Sequence, residues 1–379
     1  MAGSAMAPVA LAFGVLEATG SATWLSAVLT ASMVPMIATM ILGGGIADRY
    51  NRALVLRLSS LGAGLSQAGV AIVLLTHQDP RFLLPAAALN GVFQALTTPT
   101  MRGIVPQLAT GRGIQVANSL LASTRNLARM IGPAAAGVLT VSVGGGWAIA
   151  ADAASFFLAA GCFGRVSIPS RPPRTTGSSS MVSELREGWS YFSSNPWIWS
   201  VTLAFAVLNA AYMGIWQILG PVIALDTIGA TGWGLVLSAR AAGSLLATVV
   251  MVKLTVRRPM VQALSLMTLS AVPLILLGTG ANALWLAAAA FAAGVAAEFF
   301  TVVWSTVCHL QIPERLLSRV GAYDEFGSFA SIPLGQLSVP FLAAAFGTAA
   351  VAITGGALLA VAMLLPLLLP SLRRIEITR

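Results

Sequence analysis

Apolar runs of roughly 20 residues, separated by short polar intervals, repeat along the whole chain. A helix rises 1.5 Å per residue, so about 20 such residues cross a hydrocarbon layer of ~30 Å. Runs of this kind fall at residues 1–17, 23–46, 53–75, 82–104, 116–142, 147–165, 197–220, 232–253, 260–280, 283–306, 321–346 and 349–370. The pattern predicts twelve membrane-spanning helices. The first is unusual, because the chain opens directly with MAGSAMAPVALAFGVL. That stretch is short for a tilted span with a cytoplasmic lead-in, and it lacks the positive n-region and cleavage site of a signal peptide. It suggests half of a first helix, with the encoded start placed too far downstream or the chain trimmed.

One interval differs from the rest. VSIPSRPPRTTGSSS, residues 166–180, is rich in Pro, Ser and Gly and reads as a flexible connector. It divides the chain into an N-terminal six-helix bundle at 1–165, a linker at 166–196 and a C-terminal six-helix bundle with a short tail at 197–379. Within the linker, VSELREGWSYF places Val182, Leu185, Trp189 and Phe192 on one helical face, away from Glu184, Arg186 and Glu187. That predicts a short helix lying on the cytoplasmic membrane surface.

Composition agrees with spans throughout. Hydrophobic residues make up 57% of the chain and charged residues only 9%, too few to coat a water-soluble globule. A net charge of +9 raises the question of nucleic acid. The distribution of the charge answers it. Seventeen of the 21 basic residues lie in the loops and ends that follow even-numbered runs, and only Arg81 lies in the others. By the positive-inside rule those loops and the C-terminus are cytoplasmic, as is the N-terminus of a full-length chain. Arg125, Arg129 and Arg240 fall inside runs. The two cysteines, Cys162 and Cys308, have neither disulfide-framework nor metal-site spacing. No P-loop, H-E-x-x-H or nucleophile-triad context is present, so neither a cofactor, a metal nor an enzyme is expected. Arginine in place of lysine, with abundant Ala and Gly, suggests a GC-rich bacterial genome and hence a bacterial inner membrane.

Charge is concentrated in GGGIADRYNR, residues 43–52, expected as the tight cytoplasmic turn between the second and third helices. Gly44, Ala47, Asp48, Arg49 and Arg52 resemble the loop signature G-x-L-A-D-R-x-G-R of the major facilitator superfamily, in the loop where that family carries it. Asn51 and Ala53 depart from it. In the fifth helix ARMIGPAAAG, residues 128–137, is similar to the family's antiporter motif G-x-x-x-G-P-x-x-G-G. Gly132, Pro133 and Gly137 match, while Ala128 and Ala136 stand for Gly. RGIVPQLATGRGIQVANSLL and QIPERLLSRVGAYDEFGSF resemble the subgroup of enterobactin-type siderophore exporters and macrolide-efflux proteins. The entries to helices five and eleven echo one another, with Val105-Pro106 before Val116-Ala117-Asn118 and Ile312-Pro313 before Val320-Gly321-Ala322.

The resemblance implies a major facilitator fold, with substrate bound between halves that rock about it. It also implies that Asp48 latches the cytoplasmic side near the N-terminus of helix eleven, where a carboxylate meets the helix dipole. Arg49 and Arg52 would pair nearby acids, for which Asp324 and Glu325 are candidates. Alternatively, the two arginines simply obey the positive-inside rule.

Charges within the spans are functional candidates by default, because each costs about 2.5–3.5 kcal/mol at mid-bilayer. By helical rise, Arg125 and Arg129 lie roughly 13 and 20 Å from the cytoplasmic end of helix five, and Glu298 roughly 21 Å from the outer end of helix ten. Asp152 and Arg240 are shallower, and Glu17 lies at the outer rim. An acid in such a cavity can bind and release a proton as access alternates, with Glu298 the first candidate and Asp152 the second. The competing role is a fixed ion pair with Arg125, Arg129 or Arg240. Most tryptophans, among them Trp24, Trp147, Trp197, Trp199, Trp233 and Trp285, fall near run ends and read as interfacial anchors. For Trp216, Trp304, Phe299, Phe300 and Tyr212, lining a cavity is the alternative to anchoring or packing, and anchoring or packing is the favoured reading of each.

These features together predict a monomeric secondary transporter exporting a small amphipathic organic molecule, such as an antibiotic or siderophore, by proton antiport. A lysophospholipid or solute importer of the same fold, and a membrane sensor that does not transport, are the alternatives.

Overall fold

Backbone N–H and C=O groups have no water to bond in hydrocarbon, so apolar runs of this length fold as helices that satisfy their own backbone. The computed structural model describes residues 2–49, 51–108, 112–165, 181–251 and 257–375. Helices α1 (Ala2–Thr19), α2 (Ala22–Arg49), α3 (Arg52–Leu75), α4 (Leu83–Leu108), α5 (Arg112–Val143) and α6 (Gly145–Gly164) form the N-terminal part. There follow α7 (Met181–Ser194), α8 (Pro196–Gly214), α9 (Gly220–Thr227), α10 (Gly229–Met251), α11 (Pro259–Met267) and α12 (Ala271–Gly278). The chain ends with α13 (Ala283–Gln311), α14 (Glu314–Phe329), α15 (Ile332–Phe346), α16 (Thr348–Leu364) and α17 (Pro370–Arg373). Among the described residues no strand is present.

Ten stretches are long and apolar enough to cross a membrane among the described residues, and α1 adds a shorter apolar helix at Gly3–Thr19. The run expected at 82–104 is helical as α4 but is not one of the ten. By packing, the chain separates into two compact units. One comprises Met1–Thr175 with Gly229–Ser238, the other Thr176–Ile228 with Ala239–Arg379. The first ten residues of α10 thus cluster with the N-terminal helices. In the first unit α3 packs on α4 and α6, α2 on α4, and α1 on α5 and α6. In the second, α8 packs on α14, α15 and α16, and α16 also meets α12.

Three expected spans of the second unit are interrupted. The run at 197–220 passes from α8 into a π-helical turn at Ile215–Leu219, in which the Gly220 N–H bonds the Ile215 carbonyl. Pro221 follows. The run at 260–280 contains a 3-10 turn at Thr268–Ser270 ahead of Pro273. That expected at 321–346 begins earlier, at Glu314, and breaks between Phe329 and Ile332 ahead of Pro333. Proline has no N–H to donate and its ring meets the carbonyl four residues back, so each break is a local accommodation of that clash. The third is repaired from outside the helix. The Asn209 side chain donates to the Ser328 carbonyl at 2.9 Å, and the Ser331 hydroxyl donates to the Ala206 carbonyl at 2.7 Å.

The turns from α5 to α6 and from α15 to α16 are built alike. Each uses a glycine in a conformation closed to L side chains, Gly144 at φ 90, ψ 155 and Gly347 at φ 86, ψ 148. The two halves therefore share a turn geometry as well as the sequence echo that precedes it.

Small residues set how closely helices approach. A Cβ on Gly335 would collide with the Ala210 carbonyl oxygen of α8, whereas one on Gly161 would meet nothing within 4 Å. Gly335→Ala is expected to cost about 1–3 kcal/mol through overpacking. Gly161→Ala is expected to be neutral or stabilising by up to about 1 kcal/mol, from helix propensity. Thermal midpoints of the two variants in detergent, followed by size-exclusion chromatography, check the contrast.

Candidate functional site

The antiporter-like motif is a packing device in the first unit. A Cβ on Gly132 would lie 2.7 Å from the Ala5 Cβ of α1, and one on Gly137 would lie 2.6 Å from the Ala230 carbonyl oxygen at the start of α10. Gly234 of α10 faces the Pro133 carbonyl in the same way, and the Ala134 N–H donates to the Ser238 hydroxyl at 3.2 Å. Small residues thus let α5 touch two neighbours backbone to backbone.

The charged signature is placed differently from expectation. Helix α2 continues to Arg49 and α3 starts at Arg52, so Gly43 to Arg49 belong to the helix and only two residues are left for the turn. Asn51 explains its own departure from the signature. Its side chain accepts from the N–H groups of Ala53 at 2.9 Å and Leu54 at 3.3 Å, capping α3. The side chains of Gly44, Asp48 and Arg49 lie outside the described residues, as does the connector at 166–180.

Asp152 is fully buried on α6. The Gln67 amide of α3 donates to its carboxylate at 2.8 Å, and the Ser155 hydroxyl lies 3.4 Å away. Its neighbours continue the polar seam, with the Asn90 amide donating to the Ser66 hydroxyl at 3.2 Å and the Thr97 hydroxyl to Ser59 at 3.0 Å. Asp152 therefore has an amide partner where the sequence offered arginines. Arg125 and Arg129 are exposed on α5, and Glu17 is exposed near the end of α1. Among the described residues none of these three has a hydrogen bond or ion pair.

In the second unit Asp324 is the eleventh residue of α14, not a residue at its start. Its two carboxylate oxygens are separately engaged, one by the Thr202 hydroxyl at 2.6 Å and the other by the Trp304 indole N–H at 3.0 Å. Trp304 continues into an aromatic seam, with Phe300 at 5.9 Å and Trp197 at 5.8 Å between ring centroids. Trp197 and Trp233 are buried rather than interfacial, whereas Trp147 and Trp285 are 58% and 64% exposed. Glu325 is exposed on α14.

Helix α7 docks on α14. Glu187 bridges Arg315 at 2.9 Å and Arg319 at 2.7 Å, and the Tyr191 hydroxyl donates to the Gln311 carbonyl at 3.1 Å. Phe192, assigned by periodicity to the face on the membrane, is 8% exposed and sits beside Tyr323 with Trp189. The side chains of Val182 and Leu185 lie outside the described residues.

Glu298 is half-buried on α13 and has no hydrogen bond or ion pair among the described residues. Where α13 crosses α10, Gly294 lies against the Arg240 carbonyl and also accepts from the Ser244 hydroxyl at 3.1 Å. Glu298 is one turn farther along α13. The guanidinium of Arg240 nevertheless forms no pair with it and rests on the Tyr212 ring, 4.8 Å from the centroid. The competing role for Glu298, a fixed ion pair with Arg240, has no such pair among the described residues. Trp216, carried on the π-helical turn, stacks on the same Tyr212 ring, with ring centroids 5.5 Å apart.

These helices, breaks and close glycine contacts define a helical membrane protein. The profile of the Major Facilitator Superfamily matches residues 1–231. The chain belongs to the major facilitator superfamily. This major facilitator is 25% identical over 376 residues to the enterobactin exporter EntS of Citrobacter koseri, covering 93% of this chain and 85% of that one. It is 26% identical over 254 residues to the multidrug efflux pump Tap of Mycolicibacterium fortuitum, covering 65% of this chain and 62% of the pump. Among solved structures, the nucleoside transporter NupG matches with a TM-score of 0.72 at 13% identity, over 99% of this chain and 98% of that one. A POT family transporter in complex with 5-aminolevulinic acid matches with a TM-score of 0.75 at 13% identity, over 98% and 94%. The protein is thus a multi-pass, all-α membrane transporter with the major facilitator fold, and not an enzyme.

Sequence reasoning missed Gln67, Thr202 and Trp304 as partners of the acids. Neutral donors carry no periodic or charge signal, and only their contacts reveal them. If Asp324 is a packed hub, Thr202→Val and Trp304→Phe should each lower the thermal midpoint in detergent, because a buried acceptor left without its donor costs about 1–3 kcal/mol. Asp324→Ala combined with Thr202→Val should then fall short of the sum of the single effects, read as midpoint shifts in a double-mutant cycle. Additive shifts would separate the two residues.

Proposed function

We propose that this transporter exports a small amphipathic organic molecule, of the antibiotic or siderophore kind, across the bacterial inner membrane by alternating access coupled to proton entry. The observation that carries the export reading is the match to the enterobactin exporter along 93% of this chain and 85% of that protein. Similarity to a multidrug efflux pump over 254 residues points the same way. We take the arginine-rich loops and the C-terminus as cytoplasmic, and the chain as working alone.

The proton carrier in this reading is Glu298. A carrier has to trade its proton with both sides of the membrane, and a carboxylate locked in an ion pair cannot do so. Glu298 is half-buried and unpaired among the described residues. Asp152, by contrast, is enclosed and held by Gln67, which suits a structural acid. Asp48, with Arg49 and Arg52, gates the cycle. Asp324 is removed from that gate, because Thr202 and Trp304 already engage both of its oxygens.

Two measurements test the reading. In proteoliposomes with an imposed pH gradient, the wild type should drive efflux of at least one member of a panel of drugs and siderophores. Glu298→Gln should abolish the gradient-driven component while leaving substrate exchange at equal pH. Gradient-driven flux that survives Glu298→Gln overturns the assignment of the carrier, and movement of substrate inward under the same gradient overturns export. For the gate, Asp48→Asn should slow turnover, by roughly tenfold if the latch is worth about 1–2 kcal/mol. Folded protein in the membrane should be undiminished. Wild-type turnover in that variant would remove Asp48 from the gate.

A further inference from the structure

Among the described residues of the second unit, the Tyr212 hydroxyl and the Arg240 Nε are buried without hydrogen-bond partners, and they lie together. The Tyr212 side chain is only 3% exposed, and its hydroxyl has no hydrogen-bond partner among the described residues. Above its ring sits the Arg240 guanidinium, whose buried Nε is likewise unpartnered. No carboxylate neutralises Arg240 among the described residues, although Glu298 is one turn from the helix crossing that holds it. Such an arrangement is costly, since each unmet buried donor forfeits about 1–3 kcal/mol, more for a charged group. Elsewhere in the same unit the protein avoids that cost: Asp324 has two donors, and the broken end of α14 is supplied by Asn209.

The backbone at this place is also irregular. Tyr212 lies in the last turn of α8, directly before the π-helical turn that carries Trp216. A π turn inserts an extra residue and re-aims the side chains around it, and such turns concentrate at functional sites. Here it lays the buried Trp216 indole against the Tyr212 ring at an interplanar angle of 24°. The result is a buried stack in which the Trp216 indole and the Arg240 guanidinium both rest on the Tyr212 ring, beside the phenolic hydroxyl.

We propose that Tyr212 and Arg240, held by Trp216, form a substrate subsite, within the C-terminal half, for the acidic group of an amphipathic ligand. The charged group is a carboxylate or phenolate. Arg240 supplies the positive charge and an N–H donor and Tyr212 a second donor, while the indole stacked on the phenol ring keeps both in place. Charge-assisted hydrogen bonds of this kind are the strong ones, and guanidinium geometry suits a planar oxyanion. The subsite selects against cationic amphipaths, which Arg240 repels. This inference rests on the export reading above and deepens it by naming the substrate class.

The test is equilibrium dialysis of labelled 2-naphthoate and its neutral isostere 2-naphthamide against the full chain in lipid nanodiscs near neutral pH. The wild type should bind the acid roughly tenfold more tightly than the amide, in line with one charge-assisted pair in a site of low polarity. Arg240→Gln should bring the ratio close to one, and Arg240→Lys should restore part of it. Tyr212→Phe should weaken the acid about threefold, the loss of one neutral-donor hydrogen bond, and leave the amide unchanged. A purely structural Arg240 would leave the acid-to-amide ratio of a folded variant untouched, and that outcome overturns the proposal. Equal binding of acid and amide by the wild type overturns it, as does no acid binding at low millimolar concentration. Should Arg240→Gln fail to give monodisperse protein, unchanged acid binding by Tyr212→Phe overturns it instead. Failure here and failure of export are separable. Flux in proteoliposomes without acid preference leaves export standing and removes the subsite, while selective acid binding without flux of any compound does the reverse.

Discussion

Hydrogen bonding of the backbone in a medium without water is the constraint on which this structure depends. Every N–H and C=O inside the hydrocarbon has to find a partner within the protein, which permits helices and penalises any interruption. In the first unit α1, α2 and α5 absorb Pro8, Pro35 and Pro133 without a break, as α15 of the second absorbs Pro340. At Pro221, Pro273 and Pro333 of the second unit, irregular turns with altered hydrogen bonds precede the proline. Asn209 makes good the loss at one break by donating to the Ser328 carbonyl, and Ser331 ties the same break to α8.

The same constraint sorts the buried side chains. Asp152 and Asp324 each receive neutral donors from neighbouring helices, through Gln67 in one case and through Thr202 and Trp304 in the other. These pairs bind α6 to α3 and α14 to α8 and α13, and they fix those helices in register. Close glycine contacts complete the effect, because at Gly335 and Gly294 the backbones themselves touch. Dispersion over such short approaches replaces the hydrophobic force that lipid cannot supply between helices.

Much of the architecture was legible in the sequence. Length of apolar run located the helices, and the two motifs pointed to the superfamily whose profile matches residues 1–231. Boundaries were less legible. The signature GGGIADRYNR looked like a turn because glycine and charge cluster there, yet α2 carries it to Arg49. Asn51 was the available clue, since an asparagine before a helical run is a cap. The interruptions at Pro221 and Pro333 were hidden by hydropathy, which averages over a break of two or three residues. Trp197 and Trp233 were misplaced for a related reason: a position near a run end says how deep a residue sits, not whether it faces lipid or protein.

The chemistry of the ionisable residues was the least legible part, and the reason is physical. A sequence shows which charges enter the membrane but not which of them are answered. Asp152 and Arg240 look equivalent as isolated charges in apolar runs, and both carry the same insertion cost. In the folded chain one is answered and the other is not. Asp152 accepts from an amide on the adjacent helix, whereas among the described residues the Arg240 guanidinium meets the face of an aromatic ring and no oxygen. A ring face returns a fraction of what a carboxylate would, about 2 kcal/mol or more only when desolvated. It also accepts none of the guanidinium hydrogens as an oxygen would. The protein thus holds Arg240 in place while leaving its hydrogen-bonding capacity unspent, and that combination separates a residue kept for packing from one kept for something that arrives.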